Sequence, residues 1–426
     1  MLMFLIFISL LVMICINVPI AIALAVSAVL GLLAFEGTSS VVTVALDMYD
    51  GSTKFSLIAI PMFVLAGAIM NAGGVTDRLI NFVSAIIGFV RGGLAMVNIG
   101  VSLFFAEISG SAVADVAAMG SILIPQMKKR GYSGPLAAAV TSSSASLAII
   151  IPPSIPMILY ATSANTSVEQ LFVAGIVPGL LGAAGLMAVA YGFARRYNLP
   201  VEEAFNWPRL GSTFMDALPA FSLPVIILGG IFGGYVTATE AAGLAVIAAC
   251  LVGLWYNQMN FAHLKRAMLD GGMQTAVVMV LVAASVVMGG FLTRAQVPQE
   301  LAAGILEITN NQWLILLILN FLFLIIGFFL HSAAAIILVV PIVIPLIQAA
   351  GIDPVHFGLV VTLNLAIGQQ TPPVASVLIT SCAVARANIW DVSKVNVYFV
   401  AVLLAVLMLC TYVPSVPLFL VEYFYR

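Results

Sequence analysis

Four short polar breaks in otherwise apolar stretches hold the residues that could do chemistry here. Glu107-Ile-Ser-Gly-Ser111 precedes Ile149-Ile-Ile-Pro-Pro-Ser154, and Gly327-Phe-Phe-Leu-His-Ser332 precedes Gly368-Gln-Gln-Thr-Pro-Pro373. Proline removes a backbone donor and frees carbonyls one turn earlier, so each Pro-Pro break offers oxygen atoms at membrane depth. Oxygen ligands with hydroxyls beside them suit a small hard cation. The cation set read here is Ser109, Gly110, Ser111, Ile149, Pro152 and Ser154 around the first break, and Gly327, Gly368 and Thr371 around the second. Half-helices that start after each break or tip point positive dipole ends inward, which favours an anionic solute. Its contacts are expected among Ser111, Ser144, His331, Ser332, Asn364, Gln369, Gln370 and Thr371.

Some of these residues admit a plainer role. The run Thr141-Ser-Ser-Ser-Ala-Ser146, and its counterpart around Asn364, either lines a cavity or bonds back to its own helix. Glu107 and Asp115 flank the first tip and are either functional intramembrane carboxylates or hairpin-stabilising groups. Glu240 stands at a helix start, where capping is the preferred reading.

The elements that position these groups follow from composition and repetition. Of 426 residues, 63% are hydrophobic and 8% charged, which excludes a soluble domain. Ile124-Pro125 recurs as Ile344-Pro345, and Pro152-Pro153 recurs as Pro372-Pro373, both 220 residues on. Duplicated halves with Pro-interrupted apolar segments at matching positions point to a secondary transporter. Residues 92–127 and 313–349 are too long for one crossing and break near the middle, so each is expected to form a re-entrant hairpin. Residues 134–165 and 354–386 are expected to form helices broken at Pro-Pro. The fold class is therefore an all-α polytopic membrane protein of two inverted repeats, each of five crossings plus a hairpin. The first repeat spans 1–199 and the second 218–426, with 200–217 an interfacial connector. Residues 55–73 and 273–292 are assigned to a static side.

Charge supports one orientation. With the open end of the first hairpin in the cytoplasm, twelve of the fifteen Lys and Arg residues fall inside and only Lys54, Arg294 and Arg426 outside. Both termini are then extracytoplasmic. A phosphate-binding GxxxxGK[ST] loop is absent, so ATP is not hydrolysed by this chain. Three histidines (His263, His331, His356) without ligand spacing, and four isolated cysteines, argue against a metalloenzyme or disulfide framework. An ion gradient is the expected energy source. The second repeat lacks a carboxylate at its tip and break, which favours sodium over protons; no other cofactor is expected.

The runs Glu-Ile-Ser-Gly-Ser-Ala-Val-Ala-Asp at 107–115, Ile-Pro-Pro-Ser at 151–154, Thr-Glu-Ala-Ala at 239–242 and Gln-Gln-Thr-Pro-Pro-Val at 369–374 resemble one family. It is the large membrane subunit of tripartite ATP-independent periplasmic (TRAP) transporters, and the likeness covers the whole chain. The resemblance implies an elevator-type, sodium-coupled importer of organic acids in the bacterial inner membrane. It also implies two partners, a small four-helix membrane subunit and a periplasmic substrate-binding protein. Because the chain starts at its own first helix, the small subunit is expected to be a separate polypeptide. C4-dicarboxylates and sialic acids are the substrates implied, with overall likeness leaning to sialic acid. A stand-alone anion carrier, a membrane-embedded enzyme and a passive channel are the competing readings.

Overall fold

In the computed structural model, residues 6, 8–10, 12, 13, 16, 18–201 and 204–425 are described, apart from the side chains of Ser39, Val41, Glu107, Ile108 and Ser109. The first repeat contains α1 (Ile20–Glu36), α2 (Val41–Ser52), α3 (Ala59–Ala72) and α4 (Val75–Ile87). Its hairpin is α5 (Gly93–Ser109) with α6 (Ala112–Lys129), its broken helix is α7 (Gly134–Ala145) with α8 (Ile155–Ala164), and α9 (Val168–Arg196) closes it. The second repeat contains α10 (Trp207–Pro224), α11 (Ala238–Trp255), α12 (Phe261–Arg294) and α13 (Val297–Ile308). Its hairpin is α14 (Gln312–Phe329) with α15 (Ser332–Ala349), its broken helix is α16 (Pro354–Gly368) with α17 (Ser376–Ala385), and α18 (Ile389–Tyr412) and α19 (Ser415–Tyr425) follow. Among the described residues, eight helices are long and apolar enough to cross a membrane.

The 220-residue offset is carried into the helices: α6 begins at Ala112 and α15 at Ser332, α7 at Gly134 and α16 at Pro354. The copies run in opposite senses. Gly51 lies so close to Val286 that an added Cβ would overlap it, and Gly271 faces Leu65, which a Cβ would meet at ordinary contact distance. The chain from α2 through α3 therefore runs antiparallel to α12, its own counterpart, as inverted repeats require.

The repeats are also exchanged with one another. The second arm of each hairpin packs on the other repeat's half-helix after the break, α6 on α17 and α15 on α8. At one end the Tyr160 hydroxyl donates to the Pro354 carbonyl at 2.7 Å; at the other, Lys128 donates to the Ala385 carbonyl at 3.0 Å. On the opposite side α1 packs along α12, and α11 along α3. Helices in one layer are closely matched by small residues, as where Gly73 meets the Gly253 backbone.

Three features depart from the sequence reading. The connector is half helical: Asn206 caps a helix that starts at Trp207 and runs on through a π turn at Val225–Gly229 to Phe232. The helices α4 and α13 are additional, lying ahead of each hairpin. Both are amphipathic, with Val75, Leu79 and Val83 buried in α4 while Asp77 and Asn81 stay exposed. The apolar run near 273–292 is the inner part of a 34-residue helix. Glu240 completes a capping box with Thr237, accepting from the Thr237 N–H at 2.8 Å.

Candidate functional site

Each hairpin turns in two residues. Gly110 takes a left-handed φ of +57° and Ser111 is extended, whereas Leu330 and His331 are both extended. Gly110 is fixed by its surroundings as well, since an added Cβ would sit 2.9 Å from the Pro153 carbonyl oxygen. The first tip therefore touches the first break. The second contact is tighter: a Cβ on Gly368 would lie 2.6 Å from the Gly327 Cα, and the Val374 N–H donates to the Phe328 carbonyl at 3.2 Å.

The breaks are satisfied differently. Both Pro-Pro peptides are cis. At the first, the Ser154 hydroxyl donates to the Ile149 carbonyl at 2.7 Å and accepts from the Met157 N–H, so it caps α8. The carbonyl keeps a second lone pair for another partner. At the second, α17 starts without a side-chain cap after Ala375, whose φ is +44°. There the Val377 N–H donates to the Gln369 carbonyl, and Ser376 donates to the Gln369 Oε1 at 3.3 Å. Thr371 donates to the Ile367 carbonyl at 3.1 Å.

One cavity of about 650 Å³ joins the two tips. Of the residues singled out in the sequence, Gly110, Ser111, Ile149, His331, Ser332 and Gln369 line it. Its far wall comes from α1, α3 and α12 and is aliphatic except for Gln274, which sequence reasoning did not single out. A lone amide inside an apolar 20-residue run was the available signal. The size falls within the usual range for small-molecule sites. Glu107 and Ser109 have side chains outside the described residues.

Other nominated residues lie elsewhere. Ser144 accepts from Ser102 at 3.0 Å and donates to Asn98 at 3.2 Å, tying α7 to α5. Its counterpart Asn364 donates to Asn320 at 2.7 Å, tying α16 to α14. Gln370 accepts from Ser143 at 2.9 Å, across the repeats. Ser144, Asn364 and Gln370 are fully buried and absent from the cavity wall. Pro152, Ser154, Gly327, Gly368 and Thr371 stand behind the tips rather than on that wall. Thr141, Ser144 and Ser146 also bond back to their own helix. Asp115 is fully buried in the first turn of α6.

An inverted, exchanged pair of repeats whose hairpin tips meet at one cavity is the architecture of a membrane transport protein. The fold is similar to that of the YdaH transporter from Alcanivorax borkumensis, with a TM-score of 0.66 over 89% of each chain at 15% identity. Residues 7–416 match the family model described as "Tripartite ATP-independent periplasmic transporter, DctM component". This chain belongs to that family, as a large membrane subunit. It is 39% identical to the isethionate TRAP transporter permease protein DctMQ of Oleidesulfovibrio alaskensis, over 95% of this chain and 64% of that protein. It is 38% identical to the C4-dicarboxylate TRAP transporter large permease protein DctM of Pseudomonas aeruginosa, over 93% of each. Identity to the sialic acid TRAP transporter large permease protein SiaM of Vibrio cholerae is 35%, over 89% of each. These relatives are transporter permeases, not enzymes.

Proposed function

We propose that this chain is the permease subunit of a sodium-coupled importer of a small organic acid, seated in the bacterial inner membrane with both termini periplasmic. The carrying observation is the cavity that both hairpin tips share against a separate wall of α1, α3 and α12. Two packed units facing each other across a solute-sized cavity suit an elevator motion, in which the hairpins and broken helices slide past that wall with the cargo. Sodium ions would be held at the contacts of each tip with its break: Ser109, Gly110, Ser111, Ile149, Pro152 and Ser154 on one side, Gly327, Gly368 and Thr371 on the other. Ser111, His331, Ser332 and Gln369 would face the cargo. We assign Ser144, Asn364 and Gln370 instead to the buried network that locks the broken helices in place.

A small membrane subunit and a periplasmic binding protein are the partners in this reading. Relatives named for C4-dicarboxylates are 32% to 38% identical and the one named for sialic acid is 35% identical, so identity gives no support to a leaning toward sialic acid. The test is uptake of labelled organic acids into proteoliposomes holding this chain and the small subunit. Uptake should require an inward sodium gradient and the binding protein. Uptake indifferent to both would replace this reading with a stand-alone carrier or channel.

A further inference from the structure

The unit that carries the hairpins meets the static unit through aromatic pairs, as where Phe63 of α3 packs edge-on against Phe172 of α9, and Phe221 of α10 against Phe104 of α5. Apolar contact is non-directional, so one register can be exchanged for another at little cost. A hydrogen bond to a helix end is directional and exists in one register alone. Two bonds of that kind join the units, and both lie beside the turn Phe55–Ile58, on which α8 and α11 pack.

The two bonds are reciprocal. Lys54, on the static side, donates to the Thr162 carbonyl in the last turn of α8 at 3.3 Å. Glu169 stands in the first turn of α9, which packs on α5, α16 and α18 and so belongs with the hairpins. Its Oε1 accepts from the Ala238 N–H, the first donor of the static helix α11, at 3.3 Å. The Ser167 hydroxyl holds the other carboxylate oxygen at 2.7 Å, which aims the group. A cation thus meets the negative end of a hairpin-side helix, and an anion meets the positive end of a static one. The Thr237–Glu240 capping box of α11 leaves the Ala238 donor to Glu169.

This contact lies away from the cavity. Asp47, ahead of Lys54 on α2, pairs with Arg294 at the end of α12, whereas the cavity meets α12 at Met273, Gln274 and Val277. At a rise of about 1.5 Å per residue, Gln274 is about 30 Å from Arg294 along the helix, roughly the thickness of a bilayer core. The hairpin tips therefore face one end of the static wall while the two bonds tie the units together at the other. We propose, building on the transport reading above, that Lys54 and Glu169 form a latch that holds the hairpin unit in this position and opens when the unit travels. Neither residue touches the cargo cavity, so the latch acts on the position of the unit rather than on the solute.

The test needs no cargo. Ala117, beyond the first tip on α6, is exposed and lines the cavity, and travel toward the latch would carry it behind the wall of α1, α3 and α12. A thiol-reactive maleimide is applied to the Ala117→Cys permease with its small subunit in nanodiscs, with the chain lacking that substitution as background for the native cysteines. Low ionic strength keeps the screening of the partly exposed groups small. Lys54→Met and Glu169→Gln should each slow labelling about 2-fold, and together about 5-fold or more. Lys54→Arg keeps the cation and should label like the wild type. Unchanged labelling in the double variant, or slowing in Lys54→Arg as large as in Lys54→Met, would overturn the proposal. So would faster labelling at Ala117→Cys together with the buried Cys382 and Cys410, which marks a general loosening. Failure of the transport reading shows separately, as no sodium-driven uptake of organic acids by the wild type in proteoliposomes.

Discussion

At the first Pro-Pro break a single hydroxyl does two jobs, since Ser154 both caps α8 and satisfies the Ile149 carbonyl. At the second no side chain caps α17, an alanine takes the left-handed conformation, and Gln369 satisfies its neighbours through both backbone and side chain. The backbone path is shared and the polar chemistry is not. Duplication therefore fixed where the chain interrupts its helices, while each copy acquired its own means of satisfying the interruption.

The largest expected effect comes from breaking the tighter of the two tip contacts. Gly368→Ala puts a Cβ 2.6 Å from the Gly327 Cα, and neither atom belongs to a flexible side chain. Overpacking of this kind costs roughly 1–3 kcal/mol. The melting temperature should fall and uptake should be lost, because the second tip can no longer seat on its break. An unchanged melting temperature would show that the two backbones separate without cost.

Asn364→Leu tests whether the buried amides are scaffolding or cargo contacts. The substitution removes the donor to Asn320 Oδ1, a buried acceptor, which costs about 1–3 kcal/mol. Asn364 does not line the cavity, so stability should drop while KM for the transported acid stays within a factor of two. A large rise in KM with little loss of stability would return Asn364 to the cargo site.

The paired substitutions Ser154→Ala and Ala375→Gly sharpen the comparison of the breaks because they should move stability in opposite directions. Ser154→Ala loses a helix cap worth about 1 kcal/mol and leaves the Ile149 carbonyl short of a donor. Ala375→Gly relieves a left-handed alanine, a conformation that costs an L-residue roughly 1–2 kcal/mol, less the extra backbone entropy of glycine. Thermal midpoints of the two variants should straddle that of the wild type. If both fall, the strain at Ala375 is not real.

Much of this was legible because membrane depth leaves few options for an interrupted backbone. Two Pro-Pro breaks and two polar tips at one offset located the hairpins and broken helices directly. The amphipathic helices α4 and α13 were missed because they are short and carry charged residues such as Asp77, Arg78, Glu300 and Glu307, so no long apolar run announces them. The outer part of α12 was missed likewise, since Phe261 to Gly272 includes Lys265, Arg266 and Asp270. In the site, Ser111, His331 and Gln369 could be named from their place at a tip or break. Ser144 and Asn364 looked equally suitable, because sequence does not reveal which face of a fully buried helix meets a cavity and which meets Asn98 or Asn320. Gln274 belongs to the opposite unit, whose approach to the tips is a property of packing alone.

The smallest effect is expected at the charged end of that opposite unit, where the repeats differ again. Arg294, at the end of α12, pairs with Glu36 of α1 at 3.2 Å and with Asp47 of α2 at 3.4 Å. At the other end Arg78 pairs more loosely with Asp216 at 3.5 Å, and its guanidinium lies 3.8 Å above the Tyr256 ring. The side chains in the Arg294 cluster are about a third exposed, so water and salt screen the pairs. Arg294→Ala should cost only about 0.2–1 kcal/mol for each pair at low salt. That loss should shrink as ionic strength rises. Part of the Arg78 contact is to a ring face rather than a carboxylate, so the loss in Arg78→Ala should depend less on salt. Melting curves of both variants at low and high sodium chloride check this, and equal salt sensitivity would mean that the ring adds nothing to the hold on Arg78.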